Sequence, residues 1–296
     1  MQKKIRVIIA SRPGKLGIEQ KDDSQPFEAL LHRCMVKLTG EKRRGSAWRS
    51  LFSPDDVVGI KLNCLAGKWL SSSPGLVYAI VKGLREAKVP ESNIIIWERS
   101  DRELQHAGFT LNKKQGVKCF GSDALNPAYD SRPEIIGSIG SCFSQMVSRY
   151  CDALINVPVL KDHDLAGVSI GMKNFYGAIH NPNKYHDNNC DPYVSDVCRH
   201  RFIRDKLKLV VCDAVTALCE GGPAYKEQWA WNFGGIICAT DPVALDRVGW
   251  DVIEARRKKK GLPPLKEVNR EPAYIKTAEA AGLGTADPKR IIAERV

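Results

Sequence analysis

The sequence lacks any apolar run long enough to cross a membrane. A membrane-spanning helix needs about 20 consecutive apolar residues, whereas the longest apolar runs here, such as 5–10 and 235–239, have the length of a strand. A signal peptide is missing too, because the first four residues lead into a strand-like run without an apolar core or cleavage site. We therefore expect a cytoplasmic protein, although a signal trimmed from the N-terminus would leave the same sequence.

Closely spaced cysteines are also absent. None of the ten cysteines has the C-x-x-C spacing that is typical of zinc sites and ferredoxin-type clusters. Cys151, Cys212 and Cys238 lie inside apolar runs, as small buried hydrophobic residues do. The sequence therefore predicts no ferredoxin-type cluster in this chain, and it favours a reducing compartment.

Nucleic-acid-binding motifs are missing, despite a net charge of +11. The basic residues are scattered, and there is no zinc finger, helix-turn-helix spacing or aromatic-basic strand. The positive charge fits a small anionic molecule at least as well. We expect such a molecule, and neither nucleic acid nor a membrane, as the partner; the sequence does not predict the oligomeric state.

What the sequence does contain is an alternation of strand-like and helix-like segments. Its composition, 43% hydrophobic and 27% charged, is ordinary for a globular protein. The predicted strands are 4–10, 56–62, 93–98, 116–120, 152–157, 207–212 and 235–239, and the predicted helices are 26–38, 73–88, 241–258 and 272–281. This order predicts an α/β fold: a mostly parallel sheet with helices on both faces, and strand-end loops that form a polar cleft.

No linker or repeat divides the chain. We predict a single domain over residues 1–296, with a polar loop insertion at about 177–200 that resembles a lid more than a linker.

Polar residues gather where the predicted strands end, and these are the candidate site residues. The candidates are Lys61 and Asn63; Lys161 and His163; Lys173 and Asn174; Asp213 with Glu220, Gly221 and Gly222; and Asp241 and Asp246. Because ligands of open α/β sheets bind beyond the carboxyl ends of the strands, we expect these side chains to bind a substrate.

Several of these candidates have a purely structural alternative. Asp241 precedes a proline and fits the N-cap of a helix, and Asp213 is also compatible with capping. Asp246 is compatible with an ion pair to Arg247, and Lys61 with a snorkelling strand-end lysine. The loop 220–223 is compatible with a simple tight turn.

The segment from His163 to Lys173 carries the strongest signal of chemistry. His163 is flanked by Lys161, Asp162 and Asp164, which are unusual neighbours for a core histidine. Lys173 follows through a serine and two glycines, which allow the backbone to approach a ligand. We predict that His163 is a general acid or base, and that Lys161 and Lys173 are catalytic or bind an anion.

His180 and His186 lie six residues apart in the polar insertion. With His163, and with Asp187 as a further ligand, they are candidates for holding a divalent metal ion. The cofactor, if there is one, is not identified by the sequence.

These motifs together resemble the family called domain of unknown function 362. The matching elements, in order over residues 55–288, are Lys61-x-Asn63; Lys161-x-His163; a glycine-rich run ending in Lys173-Asn174; Asp213 and 220–223; and 241–246 followed by 282–284. Many members are described as iron–sulfur proteins because they carry an appended ferredoxin-type module, and some have a twin-arginine export signal. This sequence shows neither feature.

The chain also has a distant likeness to the lactate racemase family. In that family a histidine acts as acid/base, and a lysine ten residues later attaches a nickel-pincer nucleotide. His163, Ala166, Gly167, Ser169, Gly171 and Lys173 have the same relative spacing. The likeness implies a shared architecture and acid/base roles; the nickel cofactor is not carried over.

We therefore expect an enzyme that acts on a small anionic, carboxylate-type substrate, either racemase- or isomerase-like or associated with an oxidoreductase. The alternative is a metal- or iron–sulfur-associated redox or binding protein without turnover of its own. A scaffold in a larger complex is the third alternative.

Overall fold

A single large sheet, built from the short apolar runs of the sequence, organises the fold. The computed structural model describes residues 4–12, 14, 16, 17, 19 and 21–296. Its strands are β1 (Ile5–Ser11), β2 (Val58–Lys61), β3 (Ile94–Glu98), β4 (Lys118–Gly121), β5 (Glu134–Ile136), β6 (Ile139–Ser141), β7 (Ala153–Asn156), β8 (Val159–His163), β9 (Gly167–Ser169), β10 (Leu207–Leu218), β11 (Ala230–Ala239) and β12 (Ile291–Arg295). Its helices are α1 (Gln25–Thr39), α2 (Arg44–Arg49), α3 (Pro74–Glu86), α4 (Asp101–His106), α5 (Tyr193–Arg199), α6 (Arg201–Arg204), α7 (Pro242–Lys259) and α8 (Tyr274–Ala280).

The central strands run parallel. Within the described residues the sheet order is β12-β1-β11-β10-β7-β2-β3-β4, with β8 paired to β10 and β9 paired to β8. The strands from β10 to β4 are parallel to one another, whereas β11 is antiparallel to both of its neighbours. The carboxyl ends of β2, β3 and β7 therefore meet at one edge, and the predicted α/β fold with a mostly parallel sheet is confirmed.

Helices cover both faces of this sheet. Alternate side chains of a strand point to opposite faces, and the sheet buries residues on both of them. Val7 and Ile9 of β1 join a core with residues of α5, α7 and α8. Ile8 and Ala10, which point the other way, join a second core with residues of α1 and α3. A strand covered on both faces is apolar throughout, which explains why β3 is buried at all five positions.

One prediction about the strands was wrong. We expected 158–163 to be a loop, but Val159–His163 forms β8 and Gly167–Ser169 forms β9. The cause is the length of β10, which continues past the predicted end at 212 to Leu218. Its first half pairs with β7 and its second half with β8, and the carbonyl of Pro158 accepts from the amide of Asp213 between them. Local sequence did not reveal the strand because three of its five side chains, Lys161, Asp162 and His163, are polar.

The segment 177–200 folds into short 3₁₀ turns followed by α5. Ile179, Cys190 and Val197 are buried in it. That residues 1–296 form one domain stays a prediction. Among the described residues, no helix combines the length and apolar character needed to cross a bilayer.

Candidate functional site

A cleft of about 620 Å³ opens at the carboxyl ends of β2, β3 and β8. Seven of the residues that the sequence singled out line it: Lys61, Asn63, Lys161, His163, Lys173, Asn174 and His186. They come from strand ends and from the 3₁₀ turns after β9, at positions up to 125 apart in the sequence, and the tertiary fold brings them together.

The period of β8 explains why a lysine and a histidine two residues apart both reach the cleft. Alternate side chains of a strand point to opposite faces, and Lys161 and His163 both line the cleft. Asp162 does not line it: its Oδ1 accepts from the amide of Gly222 at 2.9 Å, and its Oδ2 pairs with Arg270 at 3.2 Å. One face of β8 therefore lines the cleft, and the other face is bonded to Gly222 and Arg270.

Lys61 is neutralised by a buried carboxylate. Its Nζ lies 2.7 Å from Oε1 of Glu98, the last residue of β3. Glu98 also accepts from the amide of Cys64 at 3.2 Å. A side chain at Gly177 would leave no room for this pair, because an added Cβ would lie 2.8 Å from Lys61 Nζ.

Lys161 has no such carboxylate. It is fully buried, its Nζ donates to Oδ1 of Asn63 at 2.8 Å, and it forms no salt bridge within the described part of the chain. Burial disfavours the charged form and lowers the pKa of Lys161 to about 8.

Lys173 is the second buried amine, and it contacts His186. Its Nζ lies 3.0 Å from His186 Nε2 and 4.0 Å from the ring centroid of Tyr176. His186 Nδ1 faces the carbonyl oxygens of Pro182 and Asn183 at 3.2 and 3.3 Å, so Nδ1 carries the proton and Nε2 accepts from Lys173. Burial lowers the pKa of Lys173 to about 8.

His163 is held as a neutral ring. Its Nδ1 accepts from the amides of Leu165 and Ala166 at 3.1 and 3.2 Å, which leaves the proton on Nε2. Burial, followed by the charge of Lys173, lowers the pKa of His163 to about 2. An oxygen of the exposed Asp164 lies 3.1 Å from the same Nδ1, but an atom that accepts two N–H bonds cannot also donate a proton to a carboxylate. The ring stacks on His186 with centroids 5.6 Å apart.

The predicted carboxylates lie behind the cleft and hold backbone amides. Asp213 accepts from the amides of Ser73 and Val215 at 2.8 and 3.0 Å, and so anchors the start of α3. Asp246 accepts from the amides of Gly171 and Met172 at 2.7 and 3.0 Å.

Asp241 caps α7 through the amide of Ala244 at 2.9 Å and also accepts from Thr285 at 3.0 Å. These contacts match the capping alternative for Asp241, whereas Asp246 pairs with backbone amides and not with Arg247. A role of these carboxylates in binding substrate stays a prediction.

Glu220, Gly221, Gly222 and His180 do not line the cleft either. Of the loop 220–223, Pro223 alone is in the lining. Glu220 forms ion pairs with Arg257 and Arg270. Gly221 and Gly222 do not line the cleft, and Gly222 packs against the backbone of Asp162. His180 is exposed, with its ring against Tyr129.

The sequence analysis did not identify two buried polar residues at or near the cleft: Glu98, which lines it, and Asn156, which does not. Glu98 and Asn156 end β3 and β7, and both are buried. Each is a polar residue that closes an apolar run, which is the same signal that identified Lys61, but both were read only as strand ends.

Of the two predicted metal ligands, His186 lies beside His163 with ring centroids 5.6 Å apart, whereas the exposed His180 contacts Tyr129. Among the described residues, no group of three or more histidine, cysteine, aspartate or glutamate side chains is arranged to hold a metal ion. All ten cysteines lie in the described part and are free thiols, and Cys151, Cys212 and Cys238 are fully buried, as predicted. Metal binding stays a prediction.

Comparison with known proteins places the chain in a family by its sequence. The model of the family described as domain of unknown function (DUF362) matches residues 58–251, more than half of the chain. No curated protein matches the sequence.

Two solved structures are similar to this chain. The lactate racemase apoprotein from Thermoanaerobacterium thermosaccharolyticum is 14% identical with a TM-score of 0.48, and the match covers 83% of this chain and 57% of that one. A structural-genomics protein from Thermotoga maritima is 13% identical with a TM-score of 0.44, and the match covers 75% of this chain and 59% of that one. The chain thus spans less than two thirds of the length of either protein.

The Lys61–Glu98 pair generates a prediction about Gly177. We expect Gly177→Ala to lower the free energy of unfolding by about 1–3 kcal/mol, because the new methyl group overlaps a lysine that cannot withdraw without losing its carboxylate. Urea denaturation measures this change. Gly140→Ala is the control, since its Cβ would meet only Ile135 at 3.9 Å; equal effects of the two substitutions would contradict the prediction.

Proposed function

This chain belongs to the DUF362 family, and we propose that it is an enzyme that binds a small carboxylate in the cleft and moves a proton on it. The observation that carries the proposal is the pair Lys161 and Lys173, two buried amines that line one cleft without a carboxylate partner in the described residues. An unpaired buried ammonium group is costly. A bound anion would supply the missing charge.

The two amines have different surroundings, and we assign them different roles. Lys161 is hydrogen bonded to the neutral side-chain amide of Asn63. A carboxylate bound beside Lys161 would therefore form a charge-assisted hydrogen bond with an ammonium group that has no other ion pair in the described residues. Lys173 donates to a histidine nitrogen that can accept a proton. With a pKa of about 8, Lys173 exchanges a proton near neutral pH, as a general base requires.

His163 takes a different role from the one expected. We predicted a general acid or base, but Nδ1 is occupied by two backbone amides and the pKa is lowered to about 2. A neutral imidazole of this kind donates a hydrogen bond from Nε2–H, and it can stabilise negative charge that develops on a substrate oxygen. The reaction class that fits is proton transfer at a carbon next to the carboxylate, as in racemases and isomerases.

The proposal predicts that binding and chemistry depend on different lysines. We expect Lys161→Met to weaken the binding of short 2-hydroxy- and 2-oxo-carboxylates at least about tenfold, because a hydrogen bond to a charged group is lost. Lys173→Met should change affinity less but abolish exchange of the C2 proton of the 2-hydroxy-carboxylates with D₂O; the 2-oxo-carboxylates have no proton on that carbon and test binding alone. Calorimetry measures the first effect and proton NMR the second.

The control for these variants is Lys184→Ala, which removes an exposed lysine outside the cleft lining and should leave both measurements unchanged. If none of the carboxylates binds the wild type, or if both lysine variants behave like the control, the proposal fails.

The lowered pKa values predict a bell-shaped pH profile. Lys161 must be protonated to hold the carboxylate, so affinity should fall as pH rises above about 8, by about tenfold per pH unit. Lys173 must be unprotonated to act as base, so the exchange rate at saturating ligand should rise as pH approaches about 8. The ratio of rate to dissociation constant should therefore peak near pH 8. A profile that is flat between pH 6 and 10 would count against these roles.

A further inference from the structure

A chain of three asparagine side chains begins behind the cleft at Asn156, continues through Asn174 and Asn63 in the cleft lining, and ends on Lys161. Asn156 Nδ2 donates to the carbonyl of Gly171 at 2.6 Å, and Asn174 Nδ2 donates to Asn156 Oδ1 at 2.7 Å. Asn63 Nδ2 donates to Asn174 Oδ1 at 3.0 Å, and Lys161 Nζ donates to Asn63 Oδ1 at 2.8 Å. These bonds tie the ends of β2 and β7 to the segment after β9.

We propose that Asn156 is a positioning residue: it fixes the direction of this amide chain and thereby keeps a carbonyl oxygen, and not an NH₂ group, against the Lys161 amine. Asn156 is fully buried and does not line the cleft. It therefore acts through Asn174 and Asn63 and not on a ligand directly. The inference rests on the proposed function in that Lys161 is taken as the group that holds the carboxylate.

The direction of the chain follows from its fixed end. A backbone carbonyl can only accept, so Asn156 must turn its NH₂ group toward Gly171. Its oxygen then faces Asn174, which must present its own NH₂ group, and the same reasoning orients Asn63. Without the fixed end the amides could rotate by half a turn, and Asn63 would then direct NH₂ at the amine.

The same residue also holds the segment that carries Lys173. The carbonyl of Gly171 accepts from Asn156, while the amide of Gly171 donates to Asp246 at 2.7 Å. The backbone amide and the carbonyl of Gly171 are therefore both hydrogen bonded, and Gly171 lies two positions before Lys173. Asn156 thus connects the segment that carries Lys173, through Gly171, with Lys161, through Asn174 and Asn63.

The test measures the amine itself and needs no substrate. In protein labelled with ¹³C-lysine, the ¹³Cε signal of Lys161, assigned with Lys161→Met, is followed against pH in the wild type, in Asn156→Leu and in Asn156→Asp. We expect the leucine variant to lower the titration midpoint of Lys161 by about one pH unit, because the amine loses a fixed acceptor. The aspartate variant should not lower it, because its oxygen still accepts from Asn174 and preserves the direction.

Lys184, which is exposed and lies outside the cleft lining, serves as an internal control, since its signal should not move in any variant. If the leucine variant does not fold, Asn156→Ser replaces it, because serine is too short to reach both partners and the same fall is expected. An unchanged Lys161 midpoint, an equal fall with aspartate, or a parallel shift of Lys184 overturns the assignment. Since the experiment contains no carboxylate, failure of the proposed function does not affect its result.

Discussion

Burying an ammonium group away from water is costly unless hydrogen bonds or an opposite charge compensate, and this cleft treats its three lysines differently. Lys61 has the buried carboxylate of Glu98. In the part of the chain that the structure describes, Lys161 is hydrogen bonded to a neutral amide, and Lys173 contacts a histidine and an aromatic ring, with no carboxylate paired to either. The pKa of both unpaired amines is lowered by burial. The proposed function rests on this unequal compensation, because it leaves room for one more negative charge.

The supports of the cleft are mostly carboxylates that hold backbone amides. Asp162, Asp213 and Asp246 each accept from amides of distant segments, and each is fully buried. Backbone amides, and Arg270 in the case of Asp162, satisfy their oxygens, and none of the three side chains lines the cleft. The polar candidates at the predicted strand ends therefore divide into two groups. The amines and the imidazole face the cavity, and the aspartates bind the backbone of the segments that surround it.

The sequence predicted the fold class and much of the cleft. The positions of the strands followed from short apolar runs, and polar residues at their ends identified Lys61, Asn63 and His163 before any coordinates. It did less well where a signal depended on distant partners. The strand β8 was not predicted, because Val159 and Leu160 are its only apolar residues and its pairing with β10 involves residues about 55 positions away.

What the sequence by itself determined is the set of local preferences: which runs form strands, where helices begin, and that Lys161 and His163 share one face if they lie in a strand. Tertiary structure alone decided which polar groups meet. Asn63, which follows β2, and Asn174, which follows β9, are 111 positions apart and are hydrogen bonded only because the fold brings these two segments together. The same packing sets the burial that lowers the pKa of Lys161 and Lys173. Burial and pairing are properties of neighbours in space, and a sequence specifies those neighbours only through the complete fold.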